Sequence, residues 1–273
     1  MTPARPGPGI AILALAAGCC VLAAGCGTAR KTTARQTAAV APVGAPAAGN
    51  ANGQAASTGR TAPATSPAPA TARVKPKPPR PHIIWDPIPF GPRRKAEMVA
   101  YARRHYGSFM TPTYRLIQPH VIVIHYTETP SFQATYNTFA PDVPDPELHE
   151  LPNTCAHFVI DSSGGIHQLV SMGVMCRHTV ELNWAAIGIE HVGFNDQQVL
   201  ADRAQMSASL KLVRWLRCRY HIALSDVIGH NESLISPYHR EDVPALRTQT
   251  HADFKHADMR IYRRRLASAG PCG

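Results

Sequence analysis

The sequence lacks a comfortable membrane span at its start. The uncharged stretch at residues 10–24 is short and rich in Ala and Gly, whereas a spanning helix needs about 20 apolar residues. Zinc-finger spacing, a phosphate-binding loop, an RNA-binding aromatic pattern and any Cys-x-x-Cys pair are all missing. Residues 27–81 hold almost no large apolar side chains, so they build no core and are expected to be disordered. Acid is scarce: 18 Asp and Glu stand against 28 Lys and Arg, a net charge of +10. That excess favours an anionic partner such as cell-wall polymer, lipid headgroup or nucleic acid. The missing motifs and an N-terminus that reads as exported argue against nucleic acid.

The N-terminus carries a leader. Arg5 precedes the uncharged stretch, which reads as the apolar region of a signal peptide. It ends in Leu22-Ala23-Ala24-Gly25-Cys26, which resembles a bacterial lipobox, where cleavage precedes a cysteine that then carries lipid. Leu15-Ala16-Ala17-Gly18-Cys19 also matches, but cleavage there leaves an apolar region of only about eight residues. The alternative is a plain secretory signal with incidental cysteines. The expected organisation is a lipoprotein signal peptide at 1–26, an Ala/Pro/Thr-rich tether at 27–81 and one domain at 82–273. The expected location is the cell envelope, on a membrane through a lipid anchor at Cys26, and on the outer membrane if the cell has one. A monomer is expected.

From residue 82 aromatic and branched residues return. Residues 93–106 predict a helix with Met98, Tyr101 and His105 on one side. The apolar run Val121-Ile122-Val123-Ile124 predicts a strand buried on both faces. A second helix is expected over 131–139. Residues 156–161 and 166–170 flank Ser162-Ser163-Gly164-Gly165, a hairpin signal. Residues 187–192 alternate as a strand. Met206, Leu210, Val213, Leu216 and Tyr220 recur at helical spacing, which predicts one long amphipathic helix over 198–220. A short extended piece follows at 226–229, and Met259, Tyr262 and Leu266 mark a last helix. The irregular alternation predicts an α/β fold with a mixed central β-sheet flanked by helices.

His125 ends the first strand, at a sheet edge where sites are built. With Ile228-Gly229-His230 and His251-Ala252-Asp253 it offers ligands from three separate segments. His, His and Asp can hold zinc and leave a fourth position for water. Glu190 alternates with Ile187 and Ile189 and so faces away from their apolar side; its bland reading is a surface salt bridge. The bland reading of Asp253 is a helix N-cap before Phe254. Four cysteines remain in the exported domain, and an even count suggests disulfides. Cys155 and Cys176 bracket the hairpin, which leaves Cys218 near a helix end to tie down Cys272. Metal ligation is the rival role for these cysteines.

The set Ile124-His125-Tyr126-Thr127, Ala156-His157-Phe158-Val159-Ile160-Asp161, Arg177-His178, Asn183, Ala186-Ile187-Gly188-Ile189-Glu190, Ile228-Gly229-His230 and Asp253 resembles a zinc-dependent N-acetylmuramoyl-L-alanine amidase. This group is related to phage lysozyme-type amidases and peptidoglycan-recognition proteins. The resemblance covers roughly residues 82–268. It implies hydrolysis of the amide between the lactyl group of N-acetylmuramic acid and L-alanine, in peptidoglycan or its fragments. It implies zinc on His125, His230 and Asp253, with Glu190 as general base. It places His178, Asn183 and Tyr126 near the substrate groove. His251 stands where the family often has an oxyanion-stabilising Lys. The long segment between His230 and Asp253 leaves His239 or His251 as an alternative ligand, and His157 faces either the site or the core. Two other functions compete: a non-catalytic peptidoglycan receptor on the same fold, and an exported zinc peptidase cutting the stem peptide. The second needs a different ligand motif, such as His-x-x-x-Asp on one strand-loop unit.

Overall fold

A computed structural model describes residues 77–272. The leader, Cys26 and all of the expected tether except residues 77–81 lie outside the described residues. Among the described residues no helix is long and apolar enough to cross a membrane.

The elements run β1 (Ile84–Trp85), α1 (Pro92–Tyr106), β2 (Val121–Tyr126), α2 (Phe132–Phe139), β3 (Phe158–Ile160), β4 (Ile166–Gln168), β5 (Ala186–His191), α3 (Asp196–Ala201), α4 (Arg203–Tyr220), β6 (Val227–Gly229) and α5 (His256–Ser268). Six strands form one sheet in the order β1-β4-β3-β5-β2-β6. Only the β3–β4 hairpin is antiparallel; the other neighbours pair parallel. The sheet is therefore mixed, as the irregular alternation predicts.

The two-residue period of a strand divides the sheet chemically. Ile122 and Ile124 of β2 and Ile187 and Ile189 of β5 point to one face, where Leu212, Val213 and Leu216 of α4 and Met259, Tyr262 and Leu266 of α5 cover them. Val121, Val123 and Ala186 point to the other face and pack with Leu182 and Ile228. His125 and Glu190 share that second face. The run of β2 is apolar because both its faces are covered.

The single helix expected over 198–220 is two helices. Asp202 has φ −70° and ψ 109° and breaks the ladder. Its side chain accepts from Gln205 N and starts α4, as Asn195 accepts from Gln198 N to start α3. The local capping bond of Asp202 wins over the helical periodicity that spans it. The structure joins Cys155 to Cys176 and Cys218 to Cys272.

Candidate active site

Three segments converge at the C-terminal ends of β2, β5 and β6. His125 is the fifth residue of β2, and Glu190 sits directly across the ladder from it on β5. His230 follows β6 on a short 3-10 turn. Asp253 arrives from the far side of a 22-residue excursion (residues 231–252) and is fixed at its base. Asn231 N donates to Asp253 O at 2.9 Å, and Thr250 Oγ1 donates to His230 O at 3.0 Å. Gly229 makes this approach possible: a Cβ there would run into the carbonyl oxygen of Phe254. Phe254 itself has φ 53°, the left-handed region that most residues avoid. Asp196, buried at the start of α3, holds it there by accepting from Phe254 N at 2.8 Å and Lys255 N at 3.0 Å. Asp253 is thus a positioned carboxylate and not the cap of α5, whose N-cap is Lys255.

The three side chains make one cluster. His125 Nδ1 lies 2.9 Å from Asp253 Oδ2, and His230 Nδ1 lies 3.3 Å from Asp253 Oδ1. One donor atom from each residue falls within 4.8 Å of the others, and all three are buried. Burial alone would push the Asp253 carboxyl up, but the hydrogen bonds and charges of His125 and His230 hold it well below the usual range, so it stays anionic.

The neighbouring histidine fixes the tautomer. His178 is half-buried, and desolvation together with the neighbouring His125 and His157 rings drives its pKa well below the ordinary imidazole value, so the ring is neutral. Its Nε2 donates to Ala186 O at 3.4 Å, leaving Nδ1 as the acceptor. That Nδ1 faces His125 Nε2 at 3.2 Å, so a cation taken on His125 Nδ1, in place of the proton that Nδ1 shares with Asp253, would leave the ring's other proton on Nε2, aimed at His178. A ring nitrogen 2.9 Å from a carboxylate oxygen suits a shared cation between them, and the outward N–H bond is how a ligating imidazole is oriented. The donor set fits a metal ion with a position left open.

Glycine makes this relay possible too. At Gly188 a Cβ would stand 2.5 Å from His178 Cγ, so the Gly-Ile-Glu stretch of β5 needs its glycine to seat that ring. His157 lies beneath. It accepts from Gly188 N at 3.1 Å and donates to Val174 O at 3.0 Å. Burial lowers its pKa to about 4. It belongs to the core and supports His178.

Glu190 is 8% exposed, and its Oε2 has no hydrogen-bond partner among the described residues. Burial pushes its pKa up to about 7; His125 opposes the shift, while Asp253 and Glu128 add to it. A surface salt bridge is therefore not its role. His251 stacks on the His230 ring at 4.5 Å, and its Nε2 lies 3.1 Å from Glu147 Oε2, a half-exposed pair at the rim. Tyr126, Glu128, Leu148 and Arg177 also line the cleft, which encloses about 270 Å³. Asn183 reaches the cleft lining but its amide is already engaged: Oδ1 accepts from His178 N and Thr179 N, and Nδ2 donates to Tyr101 Oη. It shapes the turn that carries His178. His239 is not brought in; its Nδ1 lies 3.8 Å from Glu181. The role of Asp196 has no local signal in the sequence, because it acts on backbone amides distant along the chain.

The family described as N-acetylmuramoyl-L-alanine amidase (Amidase_2) matches residues 115–251. No curated protein matches the chain. Solved structures similar to it include the endolysin N-acetylmuramoyl-L-alanine amidase LysCS from Clostridium intestinale URNW, 21% identical over 57% of this chain and 84% of that one, with a TM-score of 0.39. They also include the N-acetylmuramyl-L-alanine amidase AmiD from E. coli in complex with anhydro-N-acetylmuramic acid-L-Ala-D-gamma-Glu-L-Lys, 23% identical over 45% of this chain and 51% of that one, with a TM-score of 0.33. With the family match spanning half of the chain, and buried His, Glu and Asp side chains gathered at the sheet's edge, the protein belongs to the N-acetylmuramoyl-L-alanine amidases and hydrolyses the bond between N-acetylmuramic acid and L-alanine.

Proposed function

We propose that this amidase is a zinc enzyme of the cell envelope, lipid-anchored through Cys26, acting on peptidoglycan or its muropeptide fragments. The observation that carries the zinc reading is the facing pair of His125 Nδ1 and Asp253 Oδ2 at 2.9 Å, with His230 Nδ1 beside them. His125, His230 and Asp253 would hold the ion. When bound, zinc polarises a scissile carbonyl and acidifies water.

The chain's own residues supply the rest. Glu190, held near neutrality by burial, takes the proton of the attacking water and delivers it to the departing L-alanine nitrogen. Water adds across the amide, which leaves a lactyl carboxylate on the sugar and a free amino group on alanine. His251, stacked over His230, steadies the charge that develops on the carbonyl oxygen. Tyr126 and His178 line the groove that receives the substrate, and Asn183 holds His178 in place.

The reading is tested by mass spectrometry of muropeptides digested with and without chelator, alongside metal analysis. Free alanine amino groups should form only with metal present. Full turnover by metal-free protein would overturn the zinc reading. The lipid reading rests on the lipobox that ends at Cys26.

A further inference from the structure

The amidase site uses one face of the sheet. The other face lies under α4 and α5, whose outer sides therefore turn away from the cleft. Residues 202–220 and 255–268, the two helices with their N-caps, carry ten Lys and Arg side chains and two carboxylates, Asp202 and Asp258. Among the described residues only one of the ten, Arg263, is paired with a carboxylate, Glu232 at 2.6 Å. Arg214, Arg217 and Arg265 donate to backbone carbonyls, which leaves their charge uncompensated. Lys211, Arg219, Arg260 and Arg264 are exposed. Much of the net charge of +10 is thus gathered on two neighbouring helices.

The first described residues meet this same side. Arg80 lies over the Trp215 ring at 5.7 Å, and Arg219 lies over it at 5.8 Å. Lys77 and Pro78 line a shallow cleft with Trp215, Arg219 and Tyr220. The chain that leads back to Cys26 therefore joins the domain at the C-terminal end of α4.

We propose that the outer face of α4 and α5 docks on anionic lipid headgroups. The positive face stands on its own; the choice of lipid over another polyanion rests on reading Cys26 as the lipid-bearing residue. Each basic side chain at an anionic leaflet adds an attraction that fades within a Debye length of about 10 Å at 0.1 M salt. The half-buried rings of Trp215 and Tyr220 suit the headgroup level, where amphipathic aromatics collect. Docked this way, the domain turns its cleft away from the bilayer and towards polymer.

The test is acylation footprinting of the full chain, purified from membranes and reconstituted in phosphatidylcholine vesicles with or without about 30 mol% phosphatidylglycerol. Lys211 should react at least about threefold more slowly on the anionic vesicles, and about 0.5 M NaCl should restore its rate. Lys95, on α1, serves as the reference and should not change. The variant R219E/R260E/R264E should lose the protection of Lys211 while cleaving soluble muropeptide at the wild-type rate. Equal Lys211 rates on both vesicle types would overturn the proposal. So would protection by soluble polyphosphate with none by vesicles, which would assign the face to an anionic polymer. Failure of the protein to stay on plain phosphatidylcholine vesicles would instead count against the lipid anchor, and the footprint can still be read by adding anionic vesicles to the free protein.

Discussion

Glu190 and His125 are cross-strand partners on β5 and β2, side by side on the same sheet face. The parallel ladder, not a flexible loop, sets the separation between the proposed base and the proposed first metal ligand. Rigid strands hold such pairs to better tolerance than loops.

This arrangement separates two kinds of variant. Glu190→Gln keeps its shape but cannot accept a proton, so turnover should fall roughly 10²–10⁴-fold while bound zinc is unchanged. His125→Ala, His230→Ala and Asp253→Ala should lose zinc and activity together. Metal content and turnover measured on the same samples decide the matter. If His251→Ala strips the metal and Asp253→Ala retains it, the third ligand has been misassigned.

Gly188→Ala probes the tautomer relay without touching a ligand. The added methyl would meet the His178 ring at 2.5 Å and push it away from His125. Overpacking of this kind costs about 1–3 kcal/mol, so the domain should still fold. Its metal affinity should fall; an unchanged affinity would mean that His178 does not orient His125.

Asp196→Ala acts from further away. It frees the two amides that keep Phe254 in its left-handed conformation. Outer partners of metal sites are typically worth about 10–100-fold in affinity, and a loss of that order is expected by competition with a chelating dye. Wild-type affinity in this variant would show that the base of the excursion holds Asp253 without Asp196.

His105 predicts a pH-dependent stability. Burial would lower its pKa, but Glu150 and Glu241, each 2.9 Å from a ring nitrogen, raise it above the ordinary imidazole value. A group whose pKa rises on folding stabilises fully below its unfolded pKa, and that contribution is lost as pH climbs through the folded value. The urea midpoint should therefore decline as pH is taken from about 6 upward. His105→Gln should flatten that slope; an equal slope in the variant would assign the effect to other groups.

Cys26→Ala should move the protein from the membrane fraction to the soluble envelope fraction while amidase activity persists. Retention on membranes, with R219E/R260E/R264E added to remove the basic face, would refute lipidation at Cys26.

Much of this was legible in the sequence because it is local. The β2 and β5 runs, the Ser162-Ser163-Gly164-Gly165 hairpin and the helical spacing of Met259, Tyr262 and Leu266 each signal their own structure. The ligand trio was legible as a resemblance of ordered motifs. What stayed hidden depends on contacts between distant segments. His105 looks like one more residue on the apolar side of α1, yet it lies between two glutamates from other loops. Asp202 looks like an interior helix position, and only its capping bond reveals the break. His157 carries the chemistry of a ligand but is committed to a backbone amide and a carbonyl. Asn183 reads as a groove residue, and its amide is spent on its own turn and on Tyr101 of α1.

Where Gly229 meets Phe254, the excursion between His230 and Asp253 is zipped shut at its root. The cost of closing a loop grows only logarithmically with its length, and here the closure is made by contacts that do not involve the loop's middle. The largely exposed stretch at residues 244–248 is therefore a natural exchange cassette: segments of other lengths and chemistries can be grafted there while Glu241 keeps its contact with His105 and the ligand trio keeps its spacing.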